Sequence, residues 1–145
     1  MVQRMSSAVV LAAAGVGLAP ATASAHADVD FIAVPAGSEA VVTLRPTHGC
    51  DDSPTTDVRI RIDVPGATAV DVPGWTATMS ADEEGRPIAE WSGGSLPSDQ
   101  DGAFPIEFIV PDAPGTLLRF PAVQRCLNGG KLNWTSDNIE SPYPA

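Results

Sequence analysis

The amino-acid sequence predicts an all-β protein built as one antiparallel sandwich. The chain of 145 residues contains 14 prolines and 13 glycines, a composition that disfavours helices. Several short segments alternate apolar and polar residues with a period of two, and no stretch keeps a helical period. Turn residues separate these segments, as in a single sandwich of the immunoglobulin-like kind.

We expect about eight strands. The clearest alternates Val58, Ile60, Ile62 and Val64 with polar residues, so that one face is buried and the other is wet. Two further strands are expected to gather their large apolar residues on one face, namely Trp75, Ala77 and Met79 in one, and Phe104, Ile106, Phe108 and Val110 in the other. The predicted strands are residues 40–45, 58–64, 67–72, 75–80, 88–91, 103–110, 116–125 and 131–135, with a loop at residues 92–95 and an edge or bulge at Pro121.

The first 25 residues have the features of a cleaved export signal. Arg4 precedes an apolar run at residues 8–18, which is too short to span a bilayer, and Ala23-Ser24-Ala25 is a signal-peptidase site. We therefore expect a secreted, extracytoplasmic protein with one domain at residues 26–140 and a loose tail at residues 141–145. No later segment is apolar enough for a transmembrane helix, so we expect no direct membrane span.

The charge of the chain narrows the range of partners. There are 18 acidic and eight basic residues, which gives a net charge of −10, and removal of Arg4 makes it one unit more negative. A chain this acidic repels nucleic acid and anionic lipid, so we expect neither as a partner.

Cys50 and Cys126 are the two cysteines. An isolated pair in an exported protein predicts a disulfide. The alternative is a thiolate metal site, which an oxidising compartment disfavours because it would consume the thiols. In either case no nucleophilic Cys/His or Ser/His/Asp arrangement is visible, and we expect no enzymatic activity.

Cleavage after Ala25 would make His26 the first residue of the mature chain. Its α-amine and ring Nδ1 could then chelate one metal ion without help from the fold. Nitrogen ligands of this kind suit Cu(II), which stands at the top of the divalent affinity order. The alternative is a frayed, metal-free terminus.

Four further residues are candidates for the same site. His48 is the one other histidine, and it lies beside Gly49 and Cys50 on a loop that the disulfide would pin. Asp51 and Asp52 could supply a carboxylate ligand or accept a hydrogen bond from a histidine, or could be solvated loop acids. Asp28, three residues into the mature chain, could also reach a metal on His26.

An ordered set of motifs resembles the YcnI-type copper-binding domain of exported bacterial proteins. The His-Gly-Cys motif is similar to that of the actinobacterial branch. The resemblance covers nearly the whole mature chain and implies a β-sandwich that holds one Cu(II) at its N-terminus in a histidine brace. It also implies a role in copper handling outside the cytoplasm, alongside other copper chaperones or copper-transport membrane proteins. The motifs are His26, Pro35-Ala36-Gly37, His48-Gly49-Cys50, Ser53-Pro54-Thr55-Thr56, Pro73-Gly74-Trp75, Trp91-Ser92-Gly93-Gly94, Phe120-Pro121-Ala122-Val123-Gln124-Arg125-Cys126 and Trp134.

The resemblance assigns roles to three of these residues. His26 matches the brace histidine, and Trp134 matches a tryptophan close to the metal, where it would act as a shield or redox modulator. Trp134 could instead be a core aromatic that packs on the disulfide. His48 aligns with a glutamate ligand of Bacillus-type members, so it would replace a carboxylate with a neutral nitrogen. Many members carry a C-terminal membrane helix, which this sequence, ending at Ala145, does not show.

Three functions from different classes remain open at this point. The first is a Cu(II)-binding or copper-trafficking protein, which needs the brace and no substrate pocket. The second is a copper monooxygenase, which would need exposed aromatic residues that this chain has few of. The third is a metal-free exported interaction module.

Overall fold

The structure, a computed structural model, describes residues 34–134 and the backbone of residues 27–29. The predicted signal peptide, His26 and the predicted C-terminal tail lie outside the described residues. Within the described ranges the chain forms strands, turns and loops and no helix. The strands are β1 (Ala27–Val29), β2 (Glu39–Pro46), β3 (Thr55–Arg61), β4 (Thr68–Ala69), β5 (Thr76–Ala81), β6 (Pro87–Leu96), β7 (Phe104–Ile109), β8 (Ala122–Cys126) and β9 (Lys131–Trp134).

The strands form two sheets in which every pairing is antiparallel. One sheet has the order β1-β2-β7-β4, and the other has the order β5-β6-β3-β8-β9. The prediction of an all-β antiparallel sandwich is therefore confirmed. Among the described residues there is also no helix long and apolar enough to cross a membrane.

The core lies between the inner faces of the two sheets. In β3, Val58 and Ile60 are fully buried, and Phe104, Ile106 and Phe108 of β7 are buried opposite them, as their period-two spacing predicts. The burial of each such side chain stabilises the folded protein by roughly 1.5–3 kcal/mol, because it removes apolar surface from water.

Trp91 ties the two sheets together. It is fully buried in β6, its ring centroid lies 5.5 Å from that of Phe104, and its indole Nε1 donates a hydrogen bond of 2.9 Å to the Val70 carbonyl. Trp75 meets the same phenylalanine edge-on at 5.0 Å. Trp91 thus belongs to the core, and Trp75 packs against it.

The prediction of a loop at residues 92–95 is wrong. Strand β6 continues through it to Leu96, and Ser92 pairs with Asp57 across a register shift in β3. Gly93 takes a φ of 76°, which favours glycine, and Gly94 lies directly under the Trp75 ring, where a Cβ would collide. The two glycines therefore belong to a bulged strand and not to a loop.

The predicted strand at residues 116–125 is too long at its start. Strand β8 begins only at Ala122, after Pro121, whose missing N–H prevents it from donating to a ladder. The carbonyl of Pro121 still accepts a 2.9 Å hydrogen bond from the Arg61 N–H.

Four smaller differences concern β4, β3, β5 and β1. The weak strand at residues 67–72 shortens to Thr68–Ala69, and β3 ends at Arg61 although Ile62 and Val64 stay buried. Met79 is 42% exposed and does not share a buried face with Ala77. Strand β1 was not predicted, because three residues that include an aspartate give no periodic signal.

Candidate functional site

The loop at residues 47–54, which we call the His48 loop, connects β2 to β3. It begins after Pro46, the last residue of β2, and turns tightly where the Ser53 N–H donates a 3.1 Å hydrogen bond to the Cys50 carbonyl. Asp51 occupies this turn with a φ of 55°, a left-handed conformation that aspartate tolerates. His48 is half-buried, whereas Asp51 and Asp52 are exposed at the tip.

A disulfide joins the His48 loop to the end of β8. Cys50 and Cys126 are bonded with their Cα atoms 5.9 Å apart, and both are buried. The Cys50 N–H also donates a 3.0 Å hydrogen bond to Cys126 Sγ. The predicted disulfide is confirmed, and in this oxidised form neither sulfur is a thiolate that could bind a metal.

Gly49 lets the loop fold against itself and against a neighbouring loop. A Cβ at this position would overlap the Ser53 carbonyl oxygen and would lie 3.1 Å from the Ser98 Cβ. The Gly49 N–H donates a 3.1 Å hydrogen bond to the Ser98 carbonyl. The middle residue of the His-Gly-Cys motif is therefore a steric requirement, because only glycine leaves room for that carbonyl.

Gln124 donates a hydrogen bond to the main chain of His48 from the core side of the loop. It is 1% exposed on the inner face of β8, and its Nε2 donates hydrogen bonds of 2.7 Å to the His48 carbonyl and 2.6 Å to Thr55 Oγ1. The orientation of the amide follows from its partners, since a carbonyl can only accept. Sequence analysis did not select Gln124, although a polar residue between buried Ala122 and Cys126 breaks the alternation of β8.

The other polar atom of the amide, Oε1, has no hydrogen-bond partner among the residues that the structure describes. No donor within residues 34–134 reaches its Oε1, although the atom is buried. A buried acceptor left without a hydrogen bond costs about 1–3 kcal/mol. The fold tolerates this cost where an apolar side chain would incur none.

Strand β1 runs beside the segment that leads into the His48 loop. Ala27 pairs with Pro46, Asp28 with Arg45 and Val29 with Leu44 in an antiparallel ladder. The N-terminal end of β1 therefore lies at the end of β2 from which the loop departs. His26 lies outside the described residues, and of Asp28 the structure gives the backbone only.

Trp134 is a core residue. It is 2% exposed, pairs with Ala122 across β8 and β9, and belongs to the same hydrophobic core as Trp91. The alternative of a core aromatic is thereby confirmed, whereas packing on the disulfide and proximity to a metal both stay predictions. Within the described ranges, no three His, Cys, Asp or Glu side chains come together as a metal cluster.

Shifted pKa values occur at another turn, between β5 and β6. Desolvation alone would raise the pKa of Asp82, but hydrogen bonds from the Arg86 N–H at 2.8 Å and its Nε at 2.6 Å hold that pKa below its usual value. The same hydrogen bond to Asp82 raises the pKa of Arg86. These groups stabilise a turn, because Asp82 also accepts from the Glu84 N–H and donates its own N–H to the Arg86 carbonyl.

Fold and site together define a two-sheet antiparallel sandwich with a histidine loop fastened to its core by a disulfide. Residues 26–145 match the family described as "Domain of unknown function (DUF1775)", and the chain belongs to this family. It is the family of the YcnI-type proteins. No curated protein matches the chain significantly.

A solved structure shows the same architecture. An uncharacterised protein from Nocardia farcinica, reported to have an immunoglobulin-like fold, is 26% identical with a TM-score of 0.60, covering 83% of this chain and 93% of its own. The immunoglobulin-like prediction is thereby confirmed. A DUF4466 family protein from Parabacteroides merdae is 10% identical with a TM-score of 0.44, covering 75% of this chain and 42% of its own.

Proposed function

We propose that the mature protein binds one Cu(II) ion at its N-terminus and serves copper trafficking or homeostasis outside the cytoplasm. The α-amine and Nδ1 of His26 would form the chelate, and His48 would supply a third nitrogen. Bound Cu(II) would be cargo, and the protein would act as a binding protein rather than as an enzyme.

The observation that supports this proposal most is the register of β1. Ala27 pairs with Pro46, and His48 is two residues beyond that proline. His26 is bonded to Ala27, so its Cα is about 3.8 Å from the Cα of Ala27. The two histidines thus belong to chain segments that leave the same end of one strand pair.

The donor chemistry of the described residues also fits copper in its oxidised state. The disulfide leaves no thiolate, and among the described residues His48 is the one imidazole. Nitrogen donors with few soft ligands favour Cu(II) over Cu(I). Asp51 and Asp52 are exposed beside His48 and could complete the site or accept from an imidazole N–H.

Export is supported by two independent features. The family match begins at residue 26, the residue that the Ala23-Ser24-Ala25 signal would leave at the terminus. The Cys50–Cys126 disulfide fits an oxidising compartment. Processing matters to the proposed site, because only a free terminus gives His26 an α-amine.

A metal-free exported interaction module is the second candidate, since the immunoglobulin-like fold by itself is equally consistent with it. A copper monooxygenase is less favoured, because Trp91, Phe104 and Trp134 are buried in the core instead of forming an exposed aromatic surface. Ascorbate-driven oxidation of a polysaccharide by the copper-loaded protein would be the sign of such an enzyme, and we expect none.

The test is a Cu(II) titration of protein that begins at His26, followed by electron paramagnetic resonance. We expect one equivalent to bind, with a spectrum of a tetragonal site with nitrogen ligands. Binding should weaken as the pH falls below neutral, because amine and imidazole must release protons to the solvent. His48→Ala should weaken binding and alter the spectrum but leave the His26 chelate. If no stoichiometric Cu(II) bound, the metal-free module would be the better description.

A further inference from the structure

We propose that Gln124 is a positioning residue that sets the location of the His48 ring for the metal. This inference rests on the proposed Cu(II) function, and it concerns the hydrogen bond that the buried side chain of Gln124 donates to the main chain of His48. Gln124 is 76 residues away from His48 in sequence, so the contact exists only in the folded sandwich.

The first reason is the geometry of the hydrogen bonds. Nε2 of Gln124 spans from β8 to the His48 carbonyl at 2.7 Å and to Thr55 Oγ1 at 2.6 Å. Thr55 is fully buried at the first position of β3, so this second hydrogen bond lies within the core and does not involve the His48 loop. The His48 main chain is therefore tied to the sandwich core rather than only to its own loop.

The second reason is that the amide is not needed for packing. Its neighbours on the inner face of β8 are Ala122 and Cys126, so an apolar residue would continue the core at this position. Among the described residues Oε1 has no hydrogen-bond partner, so the burial of this atom is not compensated there by a hydrogen bond. The remaining polar function of the side chain is the pair of bonds made by Nε2.

The third reason is that Gln124 acts on His48 itself, whereas two other restraints on the loop act on the residues that follow it. The Gly49 N–H donates to Ser98, and Cys50 is bonded to Cys126, so both restraints follow His48 in sequence. Gln124 acts on the carbonyl of His48 itself. Because a metal ligand must be held within a fraction of an ångström of its productive position, a restraint at that residue governs affinity.

The test compares Gln124→Met with Thr55→Val. The first variant keeps the length of the side chain but cannot donate to the His48 carbonyl. The second removes the other partner of the same amide at an equally buried position and leaves His48 untouched. We expect Gln124→Met to lower Cu(II) affinity about tenfold and to change the copper hyperfine splitting, and Thr55→Val to stay within about twofold of the wild type.

A measurement without copper separates this inference from the proposed function. The ring resonances of His48 in a long-range ¹H–¹⁵N spectrum should report one ring environment in the metal-free wild type and a shifted or averaged one in Gln124→Met. If the wild type binds no copper but the His48 signals still shift in Gln124→Met and not in Thr55→Val, Gln124 positions His48 and the proposed function fails.

Two results would overturn the inference. One is wild-type affinity and spectra in Gln124→Met, and the other is an equal loss in Thr55→Val, which would indicate general stability instead of positioning. Should Gln124→Met fail to fold, Gln124→Asn takes its place, because it stays polar but is one methylene too short to bridge to the loop. Unchanged copper binding and His48 signals in that variant would equally overturn the inference.

Discussion

Removal of the Cys50–Cys126 disulfide should destabilise the protein severely. The two cysteines are 76 residues apart in sequence, so the bond closes more than half of the chain into one loop. The chain-entropy relation gives about 4.5 kcal/mol for a loop of this length, as an upper estimate. The free energy of unfolding of a domain of this size is about 5–15 kcal/mol. The double variant Cys50→Ala/Cys126→Ala should therefore lose a large part of its stability.

Urea unfolding followed by tryptophan fluorescence measures the loss. We expect a lower midpoint and a larger dependence on urea concentration, because the unfolded chain without the cross-link exposes more surface. Wild type with the disulfide reduced should resemble the double variant. Leu127→Ala is the control, since Leu127 follows Cys126 but is 73% exposed, and it should change little. A loss below about 1 kcal/mol with an unchanged urea dependence would refute the entropic reasoning.

Three further predictions test the loop, the core and a turn. Gly49→Ala should destabilise the protein by about 1–3 kcal/mol in urea unfolding and weaken Cu(II) binding, because its methyl group would overlap the Ser53 carbonyl; wild-type values in both assays would be the contrary result. Trp91→Ala should lower stability by about 3–5 kcal/mol in the same assay, since it empties a fully buried site, and a loss under 1 kcal/mol would contradict this. Asp82→Asn should be less stable than wild type at pH 7, because it lacks the carboxylate that Arg86 stabilises. This difference in stability should disappear as the pH falls from 3.8 through the lowered pKa of Asp82 in the folded protein, since the wild-type side chain is then neutral too. Thermal unfolding from pH 7 to 2 measures the difference, and a difference independent of pH would count against the prediction.

Much of the fold could be predicted from the sequence because burial in a sandwich leaves a local pattern. Val58 and Ile60 are fully buried and Arg59 between them is only half-buried, so the period of two identifies the strand and its inner face. The end of β6 could not be predicted this way. Gly93 and Gly94 are typical of a loop, and the reason for a glycine at position 94 is the Trp75 ring, which packs where a Cβ would lie.

The candidate site was less accessible to sequence analysis, because its contacts connect distant segments. The disulfide was predictable from the presence of two cysteines in a chain with a predicted export signal. The contact between Gln124 and His48 was not, since a glutamine in a strand carries no sign of its partner 76 residues away. The pairing of Ala27 with Pro46, which supports the role of His26, likewise arises only in the folded sheet.

The state of the N-terminus tests the central claim most directly. A protein that begins Met-His26 has an amide nitrogen where the processed protein has a free amine, and an amide is a comparable donor only after costly deprotonation. We predict that this single added residue weakens Cu(II) binding by at least ~100-fold, which is about 2.7 kcal/mol, and that His26→Ala has a similar effect. Equal Cu(II) affinity of the processed and the Met-extended protein, measured by competition with a chelator of known affinity, would contradict the histidine brace.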